Sequence, residues 1–313
     1  MLLKTLQMLK ALSPAERAMI ESGHFAGDFT AEALLDQMRT LARFDARNDA
    51  TRERILTLAV ISSLLVVASF VLTIILFVKT NQTYGIAGLV LFLVCLAATS
   101  TCFKLVRRMQ AVDINNNFRL VALPFLAVLR QDMEREGIIT VRVDLRSATH
   151  DDKLKDNKTL ARPGYLGVVE TTYRDAWFDG CARLADGSML RWNVVDEIRE
   201  SKRSKRSASG KTKVKTRNLK RSTVAVSLAL PNKAYSVIAD ATSARHKVTF
   251  SEGAKRRTIK MVRKIKSKSL DPIDPRALID AVASAYKRVA GHPSGLPSAK
   301  STIRVPNWKL ENR

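Results

Sequence analysis

The alternation of apolar and polar positions changes period twice along the chain, and each change marks a different kind of structure. Ile55 to Val78 and Ile86 to Phe103 are uncharged, predominantly apolar runs separated by a short polar turn. Each is close to the roughly 20 residues that an α-helix needs to cross about 30 Å of hydrocarbon. The pattern predicts a transmembrane helical hairpin with spans at 55–78 and 86–106. Ala59, Ser62, Val66, Ser69 and Thr73 recur at helical spacing on the first span, and Gly88, Cys95, Thr99 and Cys102 fall on one face of the second. Small faces of this kind let two helices approach within the bilayer.

Helical periodicity extends beyond both spans. Thr30 is placed as an N-cap, and Leu34, Leu35, Met38, Leu41 and Phe44 lead into the first span as one rod. Past the second span, Ile114, Phe118 and Val121 continue the period toward Glu136, with Pro124 as a kink or a break. The expectation is a helical stalk of two antiparallel rods. Upstream, Leu2, Leu3, Leu6 and Leu9 form one apolar side of a short helix. Ser13-Pro14-Ala15-Glu16 then has the form of a capping box, and Gly23 is a helix stop.

From Gly137 the period becomes two. Ile139, Val141, Val143 and Leu145 alternate with Thr140, Arg142, Asp144 and Arg146, as a half-buried strand requires. Asp151–Lys158 reads as a charged loop and Tyr165–Trp177 as a second strand. Ala185-Asp186-Gly187 is a hairpin turn leading into the strand of Leu190, Trp192, Val194 and Ile198. Val224, Val226, Leu228 and Leu230 repeat the alternation, and Val248–Phe250 with Thr258–Ile265 predicts a further hairpin. Asp274-Pro275 begins a closing helix that runs to about Ala290, and Gly291 and Pro293 stop it.

The fold class expected is therefore an α+β membrane protein: N-terminal helices, a two-helix transmembrane hairpin with a helical stalk, and a mainly antiparallel β domain, a sandwich or barrel, closed by a C-terminal helix. The boundaries read as 1–29 for the short amphipathic helices, 30–136 for the long hairpin, 137–292 for the β-rich domain and 293–313 for a flexible tail.

Charge adds orientation and a candidate surface. Arg43, Arg47, Arg52 and Arg54 precede the first span and Lys104, Arg107 and Arg108 follow the second, while Thr80–Gly85 carries no charge. By the positive-inside rule both termini face the cytoplasm, with the bacterial inner (plasma) membrane as the expected location. The net charge is +24, and it is uneven: 15 Lys/Arg against 12 Asp/Glu through Gly137, then 38 against 17. Within that basic half, Lys202, Arg203, Lys205, Arg206, Lys211, Lys213, Lys215, Arg217, Lys220 and Arg221 are opposed only by Glu200. Alternation of the cations from Lys211 to Arg217 with Thr212, Val214 and Thr216 puts them on one side of a β-hairpin arm with its tip at 206–210. A second basic run, Lys255–Lys268, is placed to lie alongside.

Little else in the chain signals chemistry. Ser209-Gly210-Lys211-Thr212 resembles the end of a phosphate loop, but lysine stands at 205 where that loop needs glycine. Cys95, Cys102 and Cys181 form neither a CxxC pair nor a cluster with histidine, so no metal ligand set and no cofactor is expected. His150 beside Asp151 and Asp152, and Asp175 with Asp179, are the candidates for acid–base chemistry. The reading that results is a two-pass membrane-anchored scaffold or binding module. Its partners would be the lipid bilayer and an anionic surface, either lipid headgroups or an acidic protein, and self-association into an oligomer is allowed. The alternatives are a membrane-tethered nucleic-acid-binding protein and a membrane-tethered enzyme acting on an anionic substrate. A strand edge guarded by lysines against aggregation accounts for the same charges without any partner.

Overall fold

A computed structural model describes residues 2–79, 82–134, 136–207, 210–237 and 246–291. The tail from 293 onward and the arm-tip residues 208–209 lie outside the described residues. The chain is α+β and divides into two units, 1–21 with 40–114, and 22–39 with 115–313.

The first unit is helical. α1 (Leu2–Ala11) and α2 (Pro14–Ser22) are joined at the expected capping box, where Ser13 N donates to Glu16 Oε2 at 2.7 Å and Glu16 N donates to Ser13 Oγ at 3.2 Å. α3 (Ala31–Lys79) is a single 49-residue helix, as its unbroken periodicity predicts, and Ala33 N donates to the Thr30 hydroxyl at its start. α4 (Gln82–Ala111) returns antiparallel in sequence order as the second long helix. Both are long and apolar enough to cross a membrane, and only 11% and 6% of their most apolar stretches is buried. Leu64, Val67, Val78, Val90 and Val94 are all more than half exposed. Where the helices touch, the small residues do the work: Ala59, Ser69 and Thr73 are buried, and a Cβ on Gly88 would lie 3.1 Å from the Thr73 Cα.

α4 does not continue toward Glu136. It ends at Ala111, and Asp113, Asn115, Asn116 and Asn117 follow, all weak helix formers. The buried Asp45 carboxylate accepts from Ile114 N at 3.3 Å, Asn48 Nδ2 donates to Met109 O, and Arg52 bridges Asp49 and Asp113. These contacts clasp the open end of the helix pair. The apolar cluster expected as stalk is instead a π-helical turn (Phe118–Ala122) and α5 (Leu123–Leu129), with Pro124 in the first turn of α5.

The second unit is built on one antiparallel sheet. Its strands are β1 (His24–Thr30), β2 (Ile138–Asp144), β3 (Leu154–Leu160), β4 (Gly167–Arg183), β5 (Met189–Arg206), β6 (Thr212–Pro231), β8 (Lys247–Glu252) and β9 (Arg256–Ser267). The order across the sheet is β1-β2-β4-β5-β6-β9-β8, with β3 pairing the first part of β4. The sheet is open, so it is not a closed barrel, and β7 (Tyr235–Val237) with β10 (Val289–Gly291) forms only a two-stranded ribbon. Helices cover its apolar face. Phe125 of α5 packs edge-on to Phe178 and Trp192, with ring centres 5.9 and 5.3 Å away. Leu278, Ala281 and Ala285 of α6 (Arg276–Tyr286) are buried, and α6 lies against β6 and β9. The core beneath is Ile139, Val141, Val143, Val194, Ile198, Val224, Val226, Leu228, Ile259 and Met261, the alternating positions of the sequence pattern. Gly180 is required here by close approach, since a Cβ would meet Trp192 Cζ2 at 2.4 Å and Thr140 O at 2.5 Å.

Three boundaries differ from expectation. Residues 24–30 are a strand, so the domain expected to begin at 137 also takes in 22–39 and 115–134, and the expected breaks at 29/30 and 136/137 do not match the division into units. Asp151–Lys158 is a 3-10 turn followed by β3, a strand with mostly exposed side chains. α6 stops at Tyr286, where β10 begins three residues later.

Membership of β1 in the sheet is directly testable. Phe25 is fully buried, stacks on Phe29 at 5.2 Å and lies 6.3 Å from Phe118. Phe25→Ala should destabilise the sheet unit by about 3–5 kcal/mol, the usual cost of deleting a buried aromatic ring. Denaturant unfolding followed by tryptophan fluorescence reports it, because Trp177 and Trp192 both sit in this unit.

Candidate functional site

Strand register decides where the cations stand. β5 and β6 pair continuously from Met189↔Ala229 to Arg206↔Thr212, which makes the arm a hairpin and places Arg206 in strand, not in the tip. Directly opposed residues of an antiparallel pair share a face. The pairs Lys205↔Lys213, Arg203↔Lys215, Ser201↔Arg217 and Arg199↔Leu219 therefore lie on one side, and Glu197↔Arg221 continues it. β9 extends the same face through Arg221↔Lys266, Thr223↔Lys264 and Ser227↔Lys260, so the second basic run does lie alongside. Lys205, Lys213, Lys215, Arg217, Arg221, Lys260, Lys264 and Lys266 are all exposed.

Three of these pairs set like charges directly opposite each other: Lys205 against Lys213, Arg203 against Lys215, and Arg221 against Lys266. Such pairs oppose folding by a few tenths of a kcal/mol each unless counter-charge is supplied. Counter-charge within the face is limited. Glu170 is shared by Arg162 and Arg199, Glu197 lies opposite Arg221 and 4.0 Å from Lys155, and the Arg203 guanidinium rests over the Tyr165 ring at 5.8 Å.

Not all ten residues singled out by sequence belong to this surface. Lys202 and Arg206 pair with Thr216 and Thr212 and lie on the reverse side, where Lys202 contacts Glu200 at 3.5 Å. Lys211 is exposed at the turn. Lys220 faces the interior: it is 2% exposed, its Nζ is 2.9 Å from Asp196 Oδ2, and it donates to Asp271 O at 3.1 Å. Alternation could have shown this, because Lys220 shares parity with Ser222, Val224 and Val226.

Beneath the arm the inner face turns ionic. Asp175 and Asp196 are cross-strand partners and both are buried. Lys153 places Nζ 2.9 Å from Asp175 Oδ1 and 3.3 Å from Asp144 Oδ2, and donates to Arg146 O. Burial pushes the Asp175 carboxyl up to about 6 despite the nearby lysine. Burial would also raise Asp144, but hydrogen bonds from Arg146 and the charge of Lys153 hold it below the ordinary range.

The candidates for acid–base chemistry do not converge. Asp175 is on the inner face and Asp179 on the outer, paired with Arg142 at 2.8 Å, because the bulge at Trp177 shifts the alternation between them. His150 is exposed and accepts from Asp152 N as the cap of the 3-10 turn. Asp45, Asp49 and Asp113 bring carboxylate oxygens within 4.8 Å of one another, the one such group of metal-ligating side chains among the described residues. Arg52 already bridges two of them as an internal counter-ion. No protein-family model, curated protein or solved structure matches the chain.

The buried lattice has a pH signature. An unfolded aspartate releases its proton near pH 3.9, whereas folded Asp175 holds it to about 6, so the native state binds more protons between those values. Stability contributed by this group is full below the unfolded pKa and is lost as pH rises through the folded one, by about 3 kcal/mol. The stability of wild type minus that of Asp175→Asn should accordingly fall between pH 4 and 7 in urea titrations. A difference that is flat across this window contradicts the assignment.

Proposed function

We propose that the chain is a two-pass membrane protein that holds a basic β-sheet module on the cytoplasmic side of the bacterial inner membrane, where the module's cationic face binds anionic lipid headgroups. The observation that carries the reading is the set of opposed like charges on a face with few acids of its own. A lipid surface dense in phosphate and carboxylate supplies the missing counter-charge, at about 1 kcal/mol for each Lys or Arg near it. The two apolar, outward-exposed helices support the membrane assignment, since water-soluble proteins seldom leave so large an apolar surface uncovered. The arginine-rich flanks and the uncharged turn support the orientation.

Nucleic acid competes for the same charges through its phosphates. Base stacking would call for aromatic side chains among the cations. Tyr165, beneath Arg203, is the aromatic contact made by an arm cation. Guarding of a free edge explains part of the pattern, because residues 212–219 of β6 have no strand beyond them. It extends to Lys264 and Lys266, which lie past the last β8 pair, but it leaves Lys260, flanked by β6 and β8, without a reason.

Two experiments test the reading. A reporter that is active only outside the cytoplasm should be silent at either terminus and active when inserted at residue 82; activity at the C-terminal end overturns the orientation. In the second, the full chain is held in neutral-lipid nanodiscs and offered vesicles containing phosphatidylserine. Replacing Lys211, Lys213, Lys215 and Arg217 together with Gln should weaken vesicle binding by about a hundredfold to a thousandfold. Its unfolding midpoint should barely move, since exposed substitutions change stability by about half a kcal/mol at most. Wild-type binding should also fall steeply with salt. Tight binding to nucleic acid with indifference to the vesicles would replace the lipid reading by the nucleic-acid one.

A further inference from the structure

A cleft on the opposite side of the sheet unit has a different chemistry. It encloses about 600 Å³, between α5, α6 and the β4–β5 turn. That is within the range of small-molecule sites, which are concave, largely apolar and marked by a few converging polar groups. Its walls are aliphatic, with Val128 and Leu129 from α5 and Ile279 and Val282 from α6. Its polar end holds two carboxylates, Asp132 and Asp186, in a chain whose net charge is +24.

The two acids are in different states. Asp186 is fully engaged: Oδ1 accepts from Ser188 N at 2.8 Å, and Oδ2 accepts from Ser188 Oγ at 2.9 Å, Tyr235 OH at 2.8 Å and Tyr286 OH at 3.0 Å. This clasp joins the hairpin turn, β7 and the end of α6, and it holds both tyrosine rings at the cleft. Burial, reinforced by the charge of Asp186, pushes the Tyr235 hydroxyl up to about 12, so it remains a donor. Asp132 is half-buried and faces the charge of Asp186, and burial together with that charge raises its carboxyl above the ordinary range. Lys287 stands exposed at the rim, and among the described residues no ion pair joins it to either acid.

We infer that this cleft is a binding site for a small organic cation with an apolar body, its ammonium set between Asp132 and the Tyr235 and Tyr286 rings and its body against the α5 and α6 walls. A positive head relieves the repulsion between the two acids. Electron-rich ring faces attract the same head, most strongly where water is excluded. An anion, which the chain's overall field draws in, meets the two carboxylates here and is turned away.

The test uses the full chain in neutral-lipid nanodiscs and three probes of one shape: 4-phenylbutylamine, 4-phenylbutanol and 4-phenylbutyrate. Calorimetry and saturation-transfer NMR should show the amine binding at least about tenfold tighter than the alcohol, the difference one charge-assisted contact makes. The acid should bind no better than the alcohol. Asp132→Asn should erase the amine's advantage while leaving vesicle binding by the arm intact, since Asp132 takes no part in the clasp. Ala283→Phe, which fills the cleft from α6, should remove binding of amine and alcohol alike. Equal affinity for amine and alcohol, preference for the acid, an Asp132→Asn variant that binds the amine unchanged, or failure of all three probes to bind each overturns the proposal.

Discussion

An ionised side chain removed from water must be paired, and the sheet unit is arranged around that demand. Asp175 and Asp196 face each other across β4 and β5 on the inner face, where neither meets solvent. Lys153 and Lys220 are the answering charges, and each brings a segment of chain with it. Lys153 draws in the loop that follows β2 through Arg146 O and Asp144, and Lys220 fastens the segment after β9 through Asp271 O. Removing one member of such a pair strands the other, at a cost of about 3–5 kcal/mol. The inner face is thereby divided into an apolar half under α5 and α6 and an ionic half at the base of the arm.

That division has a consequence for the outer face. Because the inward lysines are neutralised, the cations left exposed on the adjoining side have few acids within reach, and strand register sets several of them in direct opposition. Folding tolerates the repulsion because the long β5–β6 pairing continues into a well-packed apolar core. The surface is thus held in place by burial elsewhere and is left electrostatically unsatisfied, which is the condition under which an external polyanion gains most from binding. The Asp132 cleft is the counterpart of opposite sign: acids gathered in an apolar hollow of a basic chain.

Much of this was legible in the sequence where one physical signal dominated. Continuous apolar runs gave the two long helices, strict alternation gave β2, β5, β6 and the β8–β9 hairpin, and Ser13 with Glu16 gave the capping box. The signal failed where an element is held by its neighbours and not by its own pattern. β1 carries only two large apolar residues, Phe25 and Phe29, and is a strand because β2 pairs with it. β3 borders the sheet and buries little, so its side chains do not alternate. The Phe118–Leu129 cluster had helical period, but periodicity does not say which core a helix joins, and α4 had already ended at Ala111. Of the predicted cationic site, the shared face of Lys213, Lys215 and Arg217 followed from alternation alone. The inward turn of Lys220 was carried by the same alternation, through its parity with Ser222, Val224 and Val226, and was masked by the run of charge around it. The cleft around Asp132 and Asp186 joins residues about a hundred positions and more apart, Tyr286 among them, and no local pattern announces it.

The central claim is that the cationic face rests on the chain's own anionic membrane. Its most direct test places a fluorophore at Val214→Cys, an exposed site on the reverse side of the arm from Lys213 and Lys215, in the full chain reconstituted into vesicles. Quenching by headgroup-attached nitroxide lipids is then compared between neutral and phosphatidylserine-containing bilayers. The account predicts strong quenching in the anionic bilayer alone, lost at high salt as the Debye length falls to about 3 Å at 1 M. Equal quenching in both bilayers, or none in either, contradicts it.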